Sequence, residues 1–468
     1  MSRFLQSPRA LRPASGSASA VLTPPQPPSQ RVPVQPVRTA AKPGETQPTI
    51  VQATAFLLLC IYVLSAVAND WSIRFLGERA YFSIVSGVML PVACLAAGTA
   101  FRGLRYVPGR WWLAFLGWAV VGIPFSRWPG GTAHVLFGFV TKDWILLFYT
   151  AAAVLTLSQV RRLFHVYAFG AFIVLSSCVF FGASQYGRFA IPGSIFFENP
   201  NDLALQLLIS SMFVVFLLFS PNRAVKAAGG ALFLAMMVYT FKTASRGVFV
   251  SMAATYLVAL ALHRQRLRLI VLAALVALVA AFTVSPQQWA RMVYVAFSSD
   301  AAATQGQEVN GDLESQQIRT FLFKKSLEFT ARYPITGLGA GEFGDTMWAE
   351  MKQQGKRTAT YGTHNTYTEV SSELGIPGLI CYLGTLFGAM AMNLRLYRKA
   401  SLVRGMEETA GMAFCAFLAL VGYATSTIFD HVTYGRQLPI LAGLTIALWA
   451  AGSRQLEQKT AKTSVPAR

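Results

Sequence analysis

Apolar residues fall along this chain in long unbroken runs divided by short polar stretches. Windows of about 18 to 20 apolar residues, the length that crosses a bilayer as a helix, predict twelve spans. They run approximately Val51–Ala68, Ala80–Thr99, Trp111–Phe125, Trp144–Leu157, Leu163–Ala183, Leu203–Phe219, Ala224–Phe241, Val248–Leu262, Leu267–Val284, Tyr367–Leu394, Gly411–Phe429 and Leu438–Ala451. A helix satisfies its own backbone hydrogen bonds in hydrocarbon, so the expected class is an all-α polytopic membrane protein. The runs do not alternate every second residue, which excludes an outer-membrane barrel. Residues 1–48 are rich in Pro, Ser, Gln and Arg and hold no apolar core of a signal peptide. They predict a disordered cytoplasmic tail. The expected division is therefore a tail (1–48), nine spans (49–284), a long loop (285–365), three spans (366–452) and a second tail (453–468).

Composition supports the class and charge fixes an orientation. Only 13% of residues are charged, about half the density of a soluble domain, so much of the surface faces lipid. With the amino terminus inside, inner loops and tails carry 24 of the 40 basic residues and only four of the 20 acidic ones. The outer side then holds equal numbers of each sign, and its long loop is translocated whatever its charge. The net charge of +20 is thus a matter of topology. It points to anionic lipid and gives no support for a nucleic-acid partner. The five cysteines, Cys60, Cys94, Cys178, Cys381 and Cys415, all lie in apolar runs without metal-ligand spacing and read as buried hydrophobes.

This orientation gathers the unusual polar residues on the outer side, in Ser184–Asp202, Phe241–Gly247, the loop 285–364 and Phe429–Gln437. Two short outer loops, Asn69–Arg79 and Ser126–Asp143, complete that face. Any chemistry is then extracytoplasmic, without access to a nucleoside triphosphate. Within the long loop, Glu314–Arg332 predicts an amphipathic helix burying Ile318, Phe321, Leu322, Leu327 and Phe329. Pro334 and three glycines make Tyr333–Gly341 a turn, or alternatively a cradle of N–H groups for phosphate. A short helix is expected over Glu342–Met351, and a loose segment over Asp300–Gly311.

Three residues are candidates for chemistry. Arg246, in "ASRG" between two apolar runs, is either an interfacial anchor or a site residue. Arg188 lies in a loop with aromatic neighbours and Gly and Pro turns. His364 heads a helical polar stripe with Thr368, Ser371 and Ser372, with a kink expected at Pro377. Polar residues entering a membrane are costly and usually functional. His431 also falls on the outer side, whereas His165 and His263 are inner and His134 is isolated. No HExxH, paired-cysteine, D-x-D or Gly-x-Ser-x-Gly pattern occurs, so spacing asks for no metal. No Asp or Glu stands out at mid-membrane, which weakens a proton-coupled transporter.

His364, Asn365, Gly375 and Gly378 fit the pattern H-[N/S/Q]-x9-G-x-x-[G/T/Y]. Together with "SRG" at Ser245–Gly247 and the outward Arg188, the chain resembles the bacterial O-antigen ligases, which group with O-antigen polymerases and protein O-oligosaccharyltransferases. The resemblance implies a GT-C-like architecture, with a large, partly helical periplasmic loop before the tenth span. It implies an inner-membrane protein with both termini cytoplasmic and a periplasmic site. The implied reaction, in lipopolysaccharide biosynthesis, transfers a polysaccharide from undecaprenyl diphosphate to lipid A–core, with inversion and with no metal or cofactor. His364 would be the general base, Arg188 and Arg246 would hold the donor diphosphate, and Asn365 or Thr368 would orient the imidazole. Polymerases tend to lack the His-Asn motif. Oligosaccharyltransferases usually carry a further carboxy-terminal domain, whereas this chain ends about 17 residues after its last span. A secondary transporter would show repeats or interrupted helices with midplane charges.

Overall fold

The computed structural model describes residues 48–77, 82–185, 187–263, 265–286, 288–289, 307–355 and 360–463. The expected tail over 1–47 and the loop segment 300–306 lie outside the described residues.

Each of the twelve apolar runs is helical. In chain order the helices are α1 (Ile50–Val67), α2 (Asn69–Leu76), α3 (Phe82–Ala96), α4 (Val107–Gly122), α5 (Pro129–Phe139) and α6 (Leu146–Ala153). There follow α7 (Leu157–Phe181), α8 (Pro200–Leu217), α9 (Arg223–Lys242), α10 (Arg246–Leu262) and α11 (Arg266–Thr283). The long loop contributes α12 (Gln307–Arg332) and α13 (Phe343–Gln353), and α14 (Thr366–Ala400), α15 (Glu407–Ser426) and α16 (Gln437–Thr463) close the chain. Among the described residues, eight helices are long and apolar enough to cross a membrane, and Ile84–Ala96 and Arg246–Leu262 are shorter apolar helices.

The bundle has a centre and a periphery. Of the apolar window in α15, 89% is buried, against 6% in α11. The first is enclosed by other helices and the second presents its leucines and valines outward, as a lipid-facing helix does. Apolar contact gives little driving force between helices in lipid, so close approach and hydrogen bonds must hold them. Gly443 on α16 lies where a Cβ would meet the Leu147 carbonyl oxygen of α6 at 2.5 Å. The Tyr382 and Tyr423 hydroxyls join α14 to α15 at 2.6 Å, and Asn393 Nδ2 donates to Thr445 Oγ1 of α16 at 2.7 Å.

Several expectations are corrected. Ser126–Asp143, expected as an outer loop, is mostly helix. Pro129–Phe139, a π turn at Val140–Trp144 and Leu146–Ala153 form one 25-residue apolar segment. Gly130, Gly131, Thr132 and His134 dilute its hydropathy and hid it. In the long loop, α12 begins at Gln307, so 307–311 is helical rather than loose. Leu322 and Phe329 are buried and Ile318 packs beside them, but Phe321 and Leu327 are exposed. The inward face follows 318, 322, 325, 326 and 329, with Lys325 and Ser326 buried and Lys325 paired to Glu350 on α13 at 2.7 Å. Residues 321 and 327 sit off that stripe. α16 also continues to Thr463, through the expected tail, where Arg454 Nη2 donates to the Leu155 carbonyl at 2.6 Å.

The break in α14 falls at Gly375, not Pro377. Gly375 has φ 69° and ψ −177°, outside helical geometry. A Cβ there would collide with the Ile335 carbonyl oxygen, so only glycine admits the loop this close. Ile376 N–H then donates to the Pro334 carbonyl at 2.8 Å, and Trp118 Nε1 donates to the Leu374 carbonyl at 2.8 Å. The backbone groups released by the break are thereby satisfied. At Gly378, a Cβ would crowd Leu374 at 2.5 Å. Gly375 thus lets the turn 333–341 dock on the α14 break, while Gly378 makes room for Leu374 beside it.

The same turn is a structural device and not a phosphate cradle. Leu338 and Gly339 N–H groups bond the Ser372 and Glu373 carbonyls at 2.9 Å each. Gly341 N–H donates to Glu373 Oε2 at 2.8 Å and Phe343 N–H to Oε1 at 3.3 Å, and Tyr434 Oη donates to Oε2 at 2.7 Å. The donors that a phosphate would need are already used by a buried carboxylate. Removing that carboxylate in Glu373→Ala strands three donors at about 1–3 kcal/mol each. The detergent-solubilised variant is expected to unfold at a clearly lower temperature in a thermal melt. Glu373→Gln, which keeps one acceptor oxygen, should fall between it and the parent.

Candidate functional site

One end of the bundle gathers the starts of α8, α10, α14 and α16 with two connecting segments. The first is a hairpin, β1 (Ala183–Gln185) and β2 (Arg188–Ala190), paired antiparallel with Gln185 opposite Arg188. The second is the 429–437 connection between α15 and α16. Thr366 ties that connection to α14, since its Oγ1 donates to the Asp430 carbonyl at 2.8 Å and its N–H to the Thr427 carbonyl at 2.9 Å. Glu369 holds it one turn further in, accepting from Thr433 Oγ1 at 2.6 Å.

Arg188 and the start of α10 meet at Asn201. Arg188 Nη2 donates to Asn201 Oδ1 at 2.7 Å, and Ser245 Oγ donates to the same oxygen at 2.9 Å. Arg188 Nε also reaches the Thr243 carbonyl at 3.4 Å. The α9–α10 turn is tight enough that Ala244 adopts φ 49°, a left-handed conformation costing a non-glycine residue about 1–3 kcal/mol. That turn sets Arg246 as the first residue of α10, half-buried, with no side-chain hydrogen bond or ion pair among the described residues. A cation beside the positive end of a helix dipole is unfavourable by itself. Together with the unpaired N–H groups of the first turn, it forms a strong attraction for an anion.

His364 sits just before α14 and not on it. Its φ is 52°, so it does not share a helical stripe with Thr368, Ser371 and Ser372. Ser371 and Ser372 are buried, and the Ser371 and Thr330 hydroxyls lie 2.8 Å apart, fastening α12 to α14. Asn365 and Thr368, expected to orient the imidazole, bond the helix start in this structure. Asn365 caps the helix, its Oδ1 accepting from Tyr367 and Thr368 N–H at 3.0 Å each. Thr368 Oγ1 donates to the Asn365 carbonyl at 3.3 Å. An Asn at the N-cap suits helix initiation, and its Oδ1 is taken up by that role.

The neighbours of His364 come instead from the 429–437 connection. The His364 and His431 rings meet edge to face, centroids 4.8 Å apart. Ligating atoms of His364, Asp430 and His431 all lie within 4.8 Å of one another. Nδ1 of both imidazoles is buried without a hydrogen-bond partner. Burial first, then His431 and then Arg319 on α12, lower the His364 pKa to about 4, so its imidazole is neutral above the acidic range. The Asp202 carboxyl, in the first turn of α8, lies close to that of Asp430. His431 and Asp202, with Tyr62, Glu369 and Arg436, line a cavity of about 460 Å³ between α1, α7, α8 and α16.

The two arginine segments and the histidine form one continuous set of contacts. Gly247, next to Arg246, packs so closely on Phe429 that a Cβ would meet its ring, and Phe429 adjoins Asp430 and His431. His364, Arg188 and Arg246 do not themselves line the cavity, whose polar wall comes from residues that the sequence did not single out for chemistry. Asp202, Asp430 and His431 could be suspected only from their place at outward span ends, and Arg319 only from the helix around it.

These features define a helical membrane protein whose cationic and imidazole groups collect at one end of the bundle. Residues 230–383 match the family model described as O-Antigen ligase, and the match supports membership of the O-antigen ligase superfamily. It covers about a third of the chain, including Arg246 and His364, and leaves Arg188, Asp430 and His431 outside. No curated protein matches the chain.

Proposed function

We propose that this protein is an O-antigen ligase, joining a polysaccharide carried on undecaprenyl diphosphate to lipid A–core at the periplasmic face of the inner membrane. The observation that carries the reading is the Asn201 junction. It holds Arg188 against the turn that presents Arg246 at a helix N-terminus, in contact with the segment bearing His431 beside His364. The basic residues of the opposite loops support an outward orientation of this end by the positive-inside rule.

The donor diphosphate is a good leaving group that carries its own activation, so the site must neutralise charge and accept one proton. Arg246 and Arg188 bind the diphosphate oxygens, since guanidinium stays charged and bonds phosphate bidentately. The acceptor hydroxyl attacks the anomeric carbon from the face opposite the diphosphate and the new C–O bond forms. The old C–O bond breaks with its electron pair going to the diphosphate, which inverts the carbon. The hydroxyl proton passes to the neutral imidazole of His364, whose proton affinity rises as the anionic donor arrives.

Asn201→Ala removes the acceptor shared by Arg188 and Ser245, and transfer is expected to fall on the order of tenfold with little loss of folded protein. An unchanged rate in a purified assay would separate the junction from catalysis. The function itself is tested by offering the purified protein an undecaprenyl-diphosphate glycan with three acceptors in turn: lipid A–core, a second lipid-linked glycan, and a protein. Product with lipid A–core is expected. Product only with the lipid-linked glycan would make it a polymerase, and product only with protein an oligosaccharyltransferase.

A further inference from the structure

We propose that His364, His431 and Asp430 form a binding site for one divalent transition-metal ion of the Zn²⁺ type, and that the ion inhibits transfer by occupying the imidazole that takes the substrate proton. The inhibitory half rests on the proposed role of His364; the binding half does not.

The donor set is two imidazoles and one carboxylate, with ligating atoms within 4.8 Å of one another. Nitrogen and carboxylate donors around one centre suit Zn²⁺, whose bonds to them are about 2.0–2.2 Å. A sub-ångström closing of the side chains therefore completes three of its four positions. The set comes from two segments that the fold fastens together. Asn365 caps α14 beside His364, and Thr366 Oγ1 bonds the Asp430 carbonyl. Those anchors hold the backbone of both segments, and the buried Asp430 carboxylate is itself held by the His431 N–H, which donates to its Oδ1 at 2.9 Å.

Two further observations point to a ligand. Among the described residues both imidazoles have a buried Nδ1 without a hydrogen-bond partner, that of His431 lying 3.7 Å from Asp430 Oδ1, and an unsatisfied buried polar atom costs about 1–3 kcal/mol. The Asp430 carboxyl also lies close to the carboxyl of Asp202. Two facing carboxyls require a proton or a cation between or beside them, and a metal on Asp430 would meet that need while Asp202 served as its outer-shell partner. The site opens toward solvent through His431, which lines the 460 Å³ cavity and is about a third exposed. The sequence gives no sign of the cluster, because no two of its histidines share a short motif.

The chemistry then sets up a competition. Once an imidazole lone pair is donated to a metal it can no longer accept the hydroxyl proton, so a tightly held ion blocks the base.

The test uses the purified full chain in detergent, freed of metal by EDTA and dialysis, and titrated with Co²⁺ as a spectroscopic substitute for Zn²⁺. One equivalent is expected to bind and to produce visible d–d absorption, displaced by Zn²⁺. His431→Ala and Asp430→Asn should each weaken binding by more than about tenfold, while His134→Ala, at a site remote in sequence, should leave it unchanged. Elution as a single symmetrical species confirms that each variant is folded. Absence of saturable one-equivalent binding, or equal binding in His431→Ala, overturns the metal site. Transfer is read separately. EDTA-treated enzyme should be active, lose activity on adding one equivalent of Zn²⁺, and recover it with chelator. If Zn²⁺ binds with the expected stoichiometry but leaves transfer unchanged, or if EDTA abolishes transfer and Zn²⁺ restores it, inhibition is overturned and the binding site stands. A protein that binds metal as expected but transfers no glycan in any state refutes the ligase reading instead.

Discussion

His364→Ala is expected to reduce transfer by about 10²–10⁴-fold, the range that loss of a positioned general base produces, while the protein remains in the membrane in normal amount. The structure supports both halves of that expectation. Among the described residues the side chain makes no hydrogen bond that stabilises the fold: its Nδ1 is buried without a hydrogen-bond partner, and helix initiation is performed by Asn365 next to it. The His364 backbone carries φ 52°, a conformation that histidine adopts more readily than alanine, so the variant adds a small backbone cost. His364→Gln, which keeps a polar group of similar reach but cannot take up a proton, should be as inactive as alanine. Near-parental ligation by either variant in a purified assay would remove His364 from the chemistry.

Arg246→Ala is expected to lower transfer by about 10²–10³-fold, the cost of losing one fixed charge that stabilises a developing anion. The loss should appear in donor binding as well, because the diphosphate is charged before reaction. Arg246 is half-buried at the first position of α10 and makes no hydrogen bond or ion pair among the described residues. Its removal therefore breaks no internal bond, and it relieves an unfavourable encounter with the helix dipole. A thermal melt is expected to show equal or slightly greater stability, which a purely structural arginine would not give. Arg246→Lys keeps the charge and loses the planar fork, so activity should fall by about tenfold or more. Undiminished donor affinity in Arg246→Ala would count against the clamp.

Much of the fold could be read from continuous apolar runs, because in hydrocarbon a run of that length has little choice but to be a helix. The exceptions have local causes. Pro129–Ala153 was obscured by the glycines and polar residues of its first half, and the α14 break was assigned to Pro377 because proline is the commoner helix breaker. Gly375 takes that role through its contact with Pro334 and Ile335, a tertiary fact that its sequence neighbours do not announce. The site was legible in part for the same reason. His364 and Arg246 each stand out against apolar surroundings. Asp430 and His431 become neighbours of His364 only when the α15–α16 connection folds back over the start of α14, and Asp202 joins them from α8. The capping bonds of Asn365 and Thr368 could not be read from the sequence, because a capping residue and a site residue look alike until their hydrogen bonds are seen.

The central claim is that the imidazole and the two guanidinium groups act on one lipid-linked diphosphate, and a density map of the purified protein bound to undecaprenyl diphosphate tests it most directly. The account predicts the diphosphate at the N-terminus of α10, within hydrogen-bonding reach of Arg246 and Arg188, with His364 facing the carbon that would carry the sugar. A diphosphate bound at the other end of the bundle, or contacting neither arginine, would contradict it.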